Sequence, residues 1–231
     1  MNTHEMFQKF QDLKSSMSVQ AKGDFAEKLV FNEIREFQKR SKGVLFENYK
    51  YPYARKESGD EYPGNLKLKD TGLISEERKS GEPSLYDEID FLFLSKFSII
   101  VVEAKAYGAK GGIVLRDEWW EYPGNKKVEE KYPIAQTEKH CRHLYHSLYD
   151  LLPNGEENYI VPICVFVDKQ TISDLRSSTM KQKIIVCSLN QLYKELVYSN
   201  QPGNKALHYT LITKRLKDIK ISGNLYELKG V

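Results

Sequence analysis

The segment that most constrains this chain is residues 86–108, YDEIDFLFLSKFSIIVVEAKAYG. It reads as two apolar strands joined by a short polar turn, with acids and a lysine at its open end. Side chains alternate across a strand, so Glu103 and Lys105 project from one face. A four-residue loop at 95–98 pairs Leu94 with Ile99. That register sets Asp90 opposite Glu103, and opposed residues share a face. Leu92, Leu94, Ile99 and Val101 fall on the same face, while Phe91, Phe93, Ile100 and Val102 fall on the other. A pair of strands apolar on both sides is the centre of a sheet covered twice. Two carboxylates gathered there repel and lose hydration, a cost of several kcal/mol per ion before compensation. Lys105 neutralises only one of them. A divalent cation neutralises both, and hard oxygen ligands suit Mg²⁺ or Mn²⁺. The alternatives are strand-end charges that simply reach solvent, or a structural core whose ion pairs satisfy each other.

The surrounding elements follow from hydrophobic periodicity. Ala26, Leu29, Val30, Ile34 and Phe37 have helical spacing, Ser18 is a candidate cap, and a shorter helix precedes over about 4–15. Gly23 inside that pattern costs roughly 1 kcal/mol relative to Ala unless a close backbone approach uses it. VLFENYKYPY reads as a strand ended by Pro52. Residues 54–84 are polar and rich in Gly, Pro and Ser, a loop or inserted flap too long for a plain connection. GGIVLRDEWWEYPGNKK adds a short edge strand and an exposed turn. A helix starts at Pro133, with Ile134, Cys141, Leu144, Leu148 and Leu151 at helical intervals. NYIVPICVFVD and QKIIVCSL are buried strands, followed by a helix over about 190–198. Residues 204–220 form a basic tail. The expectation is a single α/β domain spanning 1–231 with an α-β-β-β-α-β core.

A net charge of +3 is too small to announce a nucleic-acid binder, so a phosphate-binding surface must come from local clustering. Cys141, Cys164 and Cys187 lack metal-type spacing, and their odd number without a secretory leader fits free thiols in a reducing cytoplasm. The longest apolar run is far too short to span a bilayer, so no membrane association is expected. His140, His143 and His146 do not converge on one helix face, which argues against zinc. Trp119 and Trp120 either stack bases in an exposed loop or cap a sheet edge. Lys39, Arg40, Lys42 and the basic tail either track phosphates or form solvated faces.

An aspartate in the first hairpin strand, E-x-K in the second and a glutamate on the preceding helix resemble the PD-(D/E)XK nuclease superfamily. More narrowly, the chain resembles the nuclease-related domain (NERD) family. GDFAEKLVFNEI is similar to the opening helix of that family, EIDFLFLSKFSIIVVEAKAYG to its central hairpin and YPIAQTEKHCRHL to its later helix. The likeness runs over about 23–144. Ala26 stands where the family usually has glycine, and Tyr132-Pro133 where it has Asn-Pro; neither departure removes a charged residue.

The resemblance implies a restriction-endonuclease-like mixed sheet flanked by helices, and Mg²⁺- or Mn²⁺-dependent hydrolysis of DNA phosphodiesters. It makes Asp90 and Glu103 metal ligands, with the Ala104 carbonyl a third. Lys105 would act on the attacking water and the transition state, and Gln136 would orient Lys105 or a phosphate. Gln136 and His140 stand four apart on one helix face, a candidate substrate-binding pair. Glu27 borders the buried stripe of its helix, one turn after Gly23, whose missing side chain would bring the helix close to the sheet. There it would face Asp90 and Glu103. The partner implied is DNA, in repair, mobile-element biology or defence against foreign DNA, with unwinding left to a separate helicase or ATPase. Oligomeric state stays open, a homo-oligomer included. The rival reading is a catalytically silent nucleic-acid-binding or scaffold protein on the same fold.

Overall fold

Two helices open the chain, α1 (Thr3–Leu13) and α2 (Val19–Ser41). The Ser18 hydroxyl starts α2 by accepting the Ala21 N–H at 3.1 Å, as a capping serine does. The helix stops where Lys42 turns left-handed and returns its N–H to the Gln38 carbonyl. Ala26, Leu29, Val30, Ile34 and Phe37 are buried along one stripe, as their spacing predicts. Gly23 does not work as expected. A Cβ there would meet nothing within 4 Å, so this glycine serves no close approach to the sheet.

In chain order there follow β1 (Val44–Pro52), β2 (Tyr86–Leu94), β3 (Ile99–Lys105), β4 (Ile113–Leu115), β5 (Trp120–Tyr122), β6 (Lys126–Lys127) and α3 (Pro133–Leu148). Then come β7 (Ile160–Phe166), β8 (Ile172–Asp174), α4 (Ser178–Lys183), β9 (Ile185–Ser188), α5 (Leu189–Ser199), α6 (Tyr209–Ile219) and β10 (Ser222–Tyr226). This computed structural model describes residues 3–52, 86–106, 112–122, 126–127, 132–167, 171–201 and 205–227. The expected insertion at 54–84 lies outside them.

The main sheet has six strands in the order β10-β1-β2-β3-β7-β9. The four strands β10, β1, β2 and β3 pair antiparallel; β3, β7 and β9 run parallel. The α-β-β-β-α-β core is α2-β1-β2-β3-α3-β7, a mixed sheet flanked by helices. Leu94 pairs with Ile99 across the expected loop, and the Ser95 hydroxyl ties that loop by accepting the N–H groups of Phe97 and Ser98. Phe91, Phe93, Ile100 and Val102 pack under α1, α2 and α5. Leu92, Leu94, Ile99 and Val101 pack under α3 and α6. Parallel pairing at the centre needs cover on both faces, and the helices supply it.

Three features depart from the sequence reading. The stretch taken as a basic tail is structural: α6 buries Ile212, Leu216 and Ile219, and just beyond it β10 pairs with β1. Its lysines Lys205, Lys214 and Lys217 stay exposed. The edge strand foreseen after Gly112 is instead part of a second sheet, β6-β5-β4-β8. Trp120 is fully buried there with Ile113, Leu115 and Phe166, while Trp119 is half-buried with the Arg116 guanidinium 5.0 Å over its ring.

The third departure matters most for the site. Strand alternation breaks in β1 and β2 together. Phe46 shares a core cluster with Tyr49 and Tyr51, and Leu92 shares it with Ile89, so both strands change face between those residues. Asn48 and Asp90 stand at the break, between the pairs Glu47–Phe91 and Tyr49–Ile89. Asn48 is left-handed (φ 50°), a conformation asparagine tolerates better than most residues, and the pairing with β10 shifts between Glu47 and Lys50. Gly223 fits against this bulge with φ 112°. A Cβ on it would lie 2.6 Å from the Glu47 carbonyl oxygen and closer still to that of Asn48.

The two glycines therefore predict opposite outcomes. Gly223→Ala should lower the unfolding free energy by roughly 2 kcal/mol or more, through left-handed strain and the carbonyl clash. Gly23→Ala should raise it by about 1 kcal/mol, since the added methyl meets open space on a helix. Urea unfolding midpoints of the two variants check both signs.

Candidate active site

The site is built where two strands part. Backbone pairing between β2 and β3 ends at Phe91–Val102. Beyond it β2 continues along β1, with Ile89, Glu88 and Asp87 opposite Tyr49, Lys50 and Tyr51. Strand β3 continues along β7, with Glu103, Ala104 and Lys105 opposite Cys164, Val165 and Phe166. A notch opens between them. The Ala104 N–H, beyond the last β2–β3 pair, donates to Asp90 Oδ2 at 2.8 Å. Asp90 thus closes the notch with its side chain where the backbone ladder stops.

Glu103 lies at the floor of the notch and is 1% exposed. Its Oε1 accepts from Lys105 Nζ at 2.7 Å and from Gln136 Nε2 at 2.8 Å. Its Oε2 has no hydrogen-bond donor, although His140 Nδ1 lies 3.3 Å away, out of alignment. Burial pushes the Glu103 carboxyl up, but contact with His140 and the Lys105 ammonium outweigh it and hold the group below the ordinary carboxylate value. Asp90 shows the reverse. Burial and then the Glu103 charge push it well above its ordinary value, against the opposing pull of Lys105 and the Ala104 N–H. Burial works against the Lys105 ammonium, yet the charges of Glu103 and Asp90 raise its affinity for the proton. Lys105 is therefore a cation at neutral pH.

Glu27 comes from the opposite side of the sheet, since α2 packs over the face bearing Phe91 and Val102. It is half-buried. Burial first, then the charges of Asp24 and Glu103, raise its proton affinity, and Glu27 in turn acts on Asp90. A carboxyl on the α2 side thus senses the charges of this site. Of the residues singled out in the sequence, Glu103, Lys105, Gln136 and His140 are in direct contact. Asp90 joins through Ala104, and Glu27 through its electrostatic field.

Sequence reasoning missed a second polar cluster beside the first. Asp87 is buried, hydrogen-bonded to the His143 ring and ion-paired with Lys139 at 3.3 Å. Burial pushes the Asp87 carboxyl up, and the His143 hydrogen bond and charge more than reverse that. Lys139 and His143 are four apart, as are Gln136 and His140, so each pair lies along one line of α3. That spacing was a usable signal. Strict alternation hid it by placing Asp87 on the α2 side, and the face change at Asp90 turns it toward α3.

A buried acid with an oxygen lacking a donor, Glu103, beside the half-buried Asp90 suits a hard cation that takes carboxylate oxygens and keeps several waters. Among the described residues no group of three or more His, Cys, Asp or Glu could hold a metal ion. A cation here would need ligands from beyond those side chains, which is ordinary for Mg²⁺ and foreign to structural zinc.

A mixed sheet with a carboxylate-bearing hairpin and an E-x-K strand places the chain in the class of nuclease-like α/β folds. The family model of the nuclease-related domain matches residues 64–167, so this part of the chain is similar to that family. Asp90, Glu103, Lys105, Gln136 and His140 lie inside that span. Glu27 lies before it, and the match extends past the expected end to take in β7. No curated protein and no solved structure gives a significant match. No helix among the described residues is long and apolar enough to cross a membrane.

The electrostatics predict a specific pH dependence in EDTA. A raised Asp90 means that the folded state holds a proton the unfolded chain has released above the ordinary value of 3.8. Stability therefore falls as pH rises from there through the raised value, and the cost is fully present above it. Asp90→Asn should stabilise the protein at pH 8 and gain little at pH 4.5, read from urea midpoints. A stabilisation independent of pH would mean that Asp90 titrates normally.

Proposed function

We propose that this chain is a metal-dependent nuclease that hydrolyses DNA phosphodiester bonds, using Mg²⁺ or Mn²⁺. The observation that carries the reading is the convergence of Asp90, Glu103 and Lys105 at the notch, with Glu103 Oε2 buried and lacking a donor. Asp90, Glu103 and the Ala104 carbonyl would hold the cation, leaving its other positions to water and phosphate. When bound, such an ion polarises the phosphoryl group and lowers the pKa of a bound water.

The chain's own groups supply the remainder. Lys105 is protonated, so it donates: it orients the attacking water or meets charge building on the phosphoryl oxygens, rather than removing a proton. Gln136 fixes the Glu103 carboxylate through Oε1, leaving Oε2 for the site. His140, buried beside Oε2, would act on a substrate phosphate through Glu103 rather than by meeting it directly. Glu27 adds a third acid across the notch to hold water at the reacting phosphorus.

Incubation with supercoiled plasmid, linear duplex, single-stranded DNA and RNA, each with Mg²⁺, Mn²⁺ or EDTA, tests the reading. Cleavage of DNA that EDTA stops is expected, and Asp90→Ala and Glu103→Ala should abolish it while remaining folded. Binding without cleavage would point to a silent scaffold. Equal cleavage by wild type and both variants, in matched preparations, would remove the assignment.

Lys105 has its own signature. Lys105→Ala should lower kcat about 10²–10³-fold with KM changed far less, because its charge acts mainly in the transition state. Lys214→Ala, on the exposed face of α6, should leave kcat unchanged. A Lys105→Ala defect confined to KM would reduce Lys105 to a backbone contact.

A further inference from the structure

The contacts of α3 divide into two rows one residue apart. Gln136 and His140 meet Glu103 on β3, while Lys139 and His143 meet Asp87 on β2. Between these two strands the backbone ladder is already lost, so helix α3 bridges the notch by side chains alone. Tyr51, the cross-strand neighbour of Asp87, adds a third tie by donating to the His140 carbonyl at 3.0 Å. Asp87 and His143 are both buried, and Asp87 is three residues from Asp90 on the same strand.

We propose that Asp87 is a positioning residue: its buried pairing with His143 and Lys139, beside the Tyr51 tie, fixes α3 along its axis and thereby seats Gln136 and His140 on Glu103. The physical reason lies in the helix geometry. A helix lying on apolar side chains can slide or roll at small cost, since dispersion contacts are weak and non-directional individually. A charge-assisted pair in a buried site has a narrow geometry. It turns a loosely seated helix into one with a single register. Gln136 is one turn before His140 and His143 one residue less than one turn after it, so an error at Asp87 reaches Glu103 undamped.

The inference rests on the nuclease reading only for its effect on rate; its structural half has an independent readout. In ¹⁵N-labelled full-length protein the Gln136 side-chain amide can be identified by its loss in Gln136→Ala. Asp87→Asn keeps the shape and removes the charge. It should move that resonance toward free-glutamine values with most backbone signals unchanged. It should also lower kcat about tenfold or more, with KM within about twofold. Should Asp87→Asn not fold, Lys139→Gln removes the other, half-exposed partner and carries the same two readouts with smaller shifts. An unmoved Gln136 resonance in a folded variant overturns the proposal, as does a moved one with an unchanged rate. A moved resonance in a protein that cleaves no nucleic acid upholds the seating of α3 and counts against the nuclease reading alone.

Discussion

The hydrogen bond from the Ala104 N–H to Asp90 is the contact on which the site depends. It lies where the ladder between β2 and β3 has ended, and it replaces a backbone pair with a carboxylate. Without it the two strands, each held by its outer neighbour, would have nothing between them at that level. With it, an acid at the face change of β2 is fixed against β3. Glu103, one residue earlier on β3, is then held beside it. The divergence of the strands, the burial of Glu103 and the half-burial of Asp90 are consequences of one geometry.

That geometry is costly on its own terms. Buried like charges are destabilising unless paired, and a single lysine is shared between them. The opposite directions in which Asp90 and Glu103 are pushed show how the conflict resolves: Glu103 keeps its charge through Lys105 and His140, and Asp90 tends to keep its proton. That cost at a notch, which a bound cation would offset, is the physical ground for reading the site as one suited to positive charge.

Much of this was legible in the sequence because local patterns and global fold agree there. The hairpin register, the assignment of eight apolar residues to two faces, the capped α2 and the Pro-initiated α3 all follow from spacing and turn chemistry. So does the meeting of Glu103 with Lys105, two apart on a strand. What escaped notice depends on contacts distant in sequence. The face change at Asn48 and Asp90 needs Gly223 against the bulge, and nothing local to β1 announces it. Asp87 was hidden for the same reason, as alternation counted from Leu92 points it to the wrong side. Strand β10, SGNLY, has too few apolar residues to mark it as part of a sheet, and the three-residue strands of the second sheet carry no period at all. Gly23 was over-read: a glycine in a helix invites a packing explanation, and this one faces open space.

The central claim is that the notch gathers two carboxylates to receive a divalent cation. Anomalous diffraction from crystals soaked in Mn²⁺ tests it most directly, because it locates the ion without reference to activity. The account predicts a peak within about 2.0–2.2 Å of a carboxylate oxygen of Asp90 and of Glu103, the range usual for such small hard cations. A well-soaked crystal with no peak between these residues, or with Lys105 still bonded to Glu103 and the ion bound elsewhere, would contradict it.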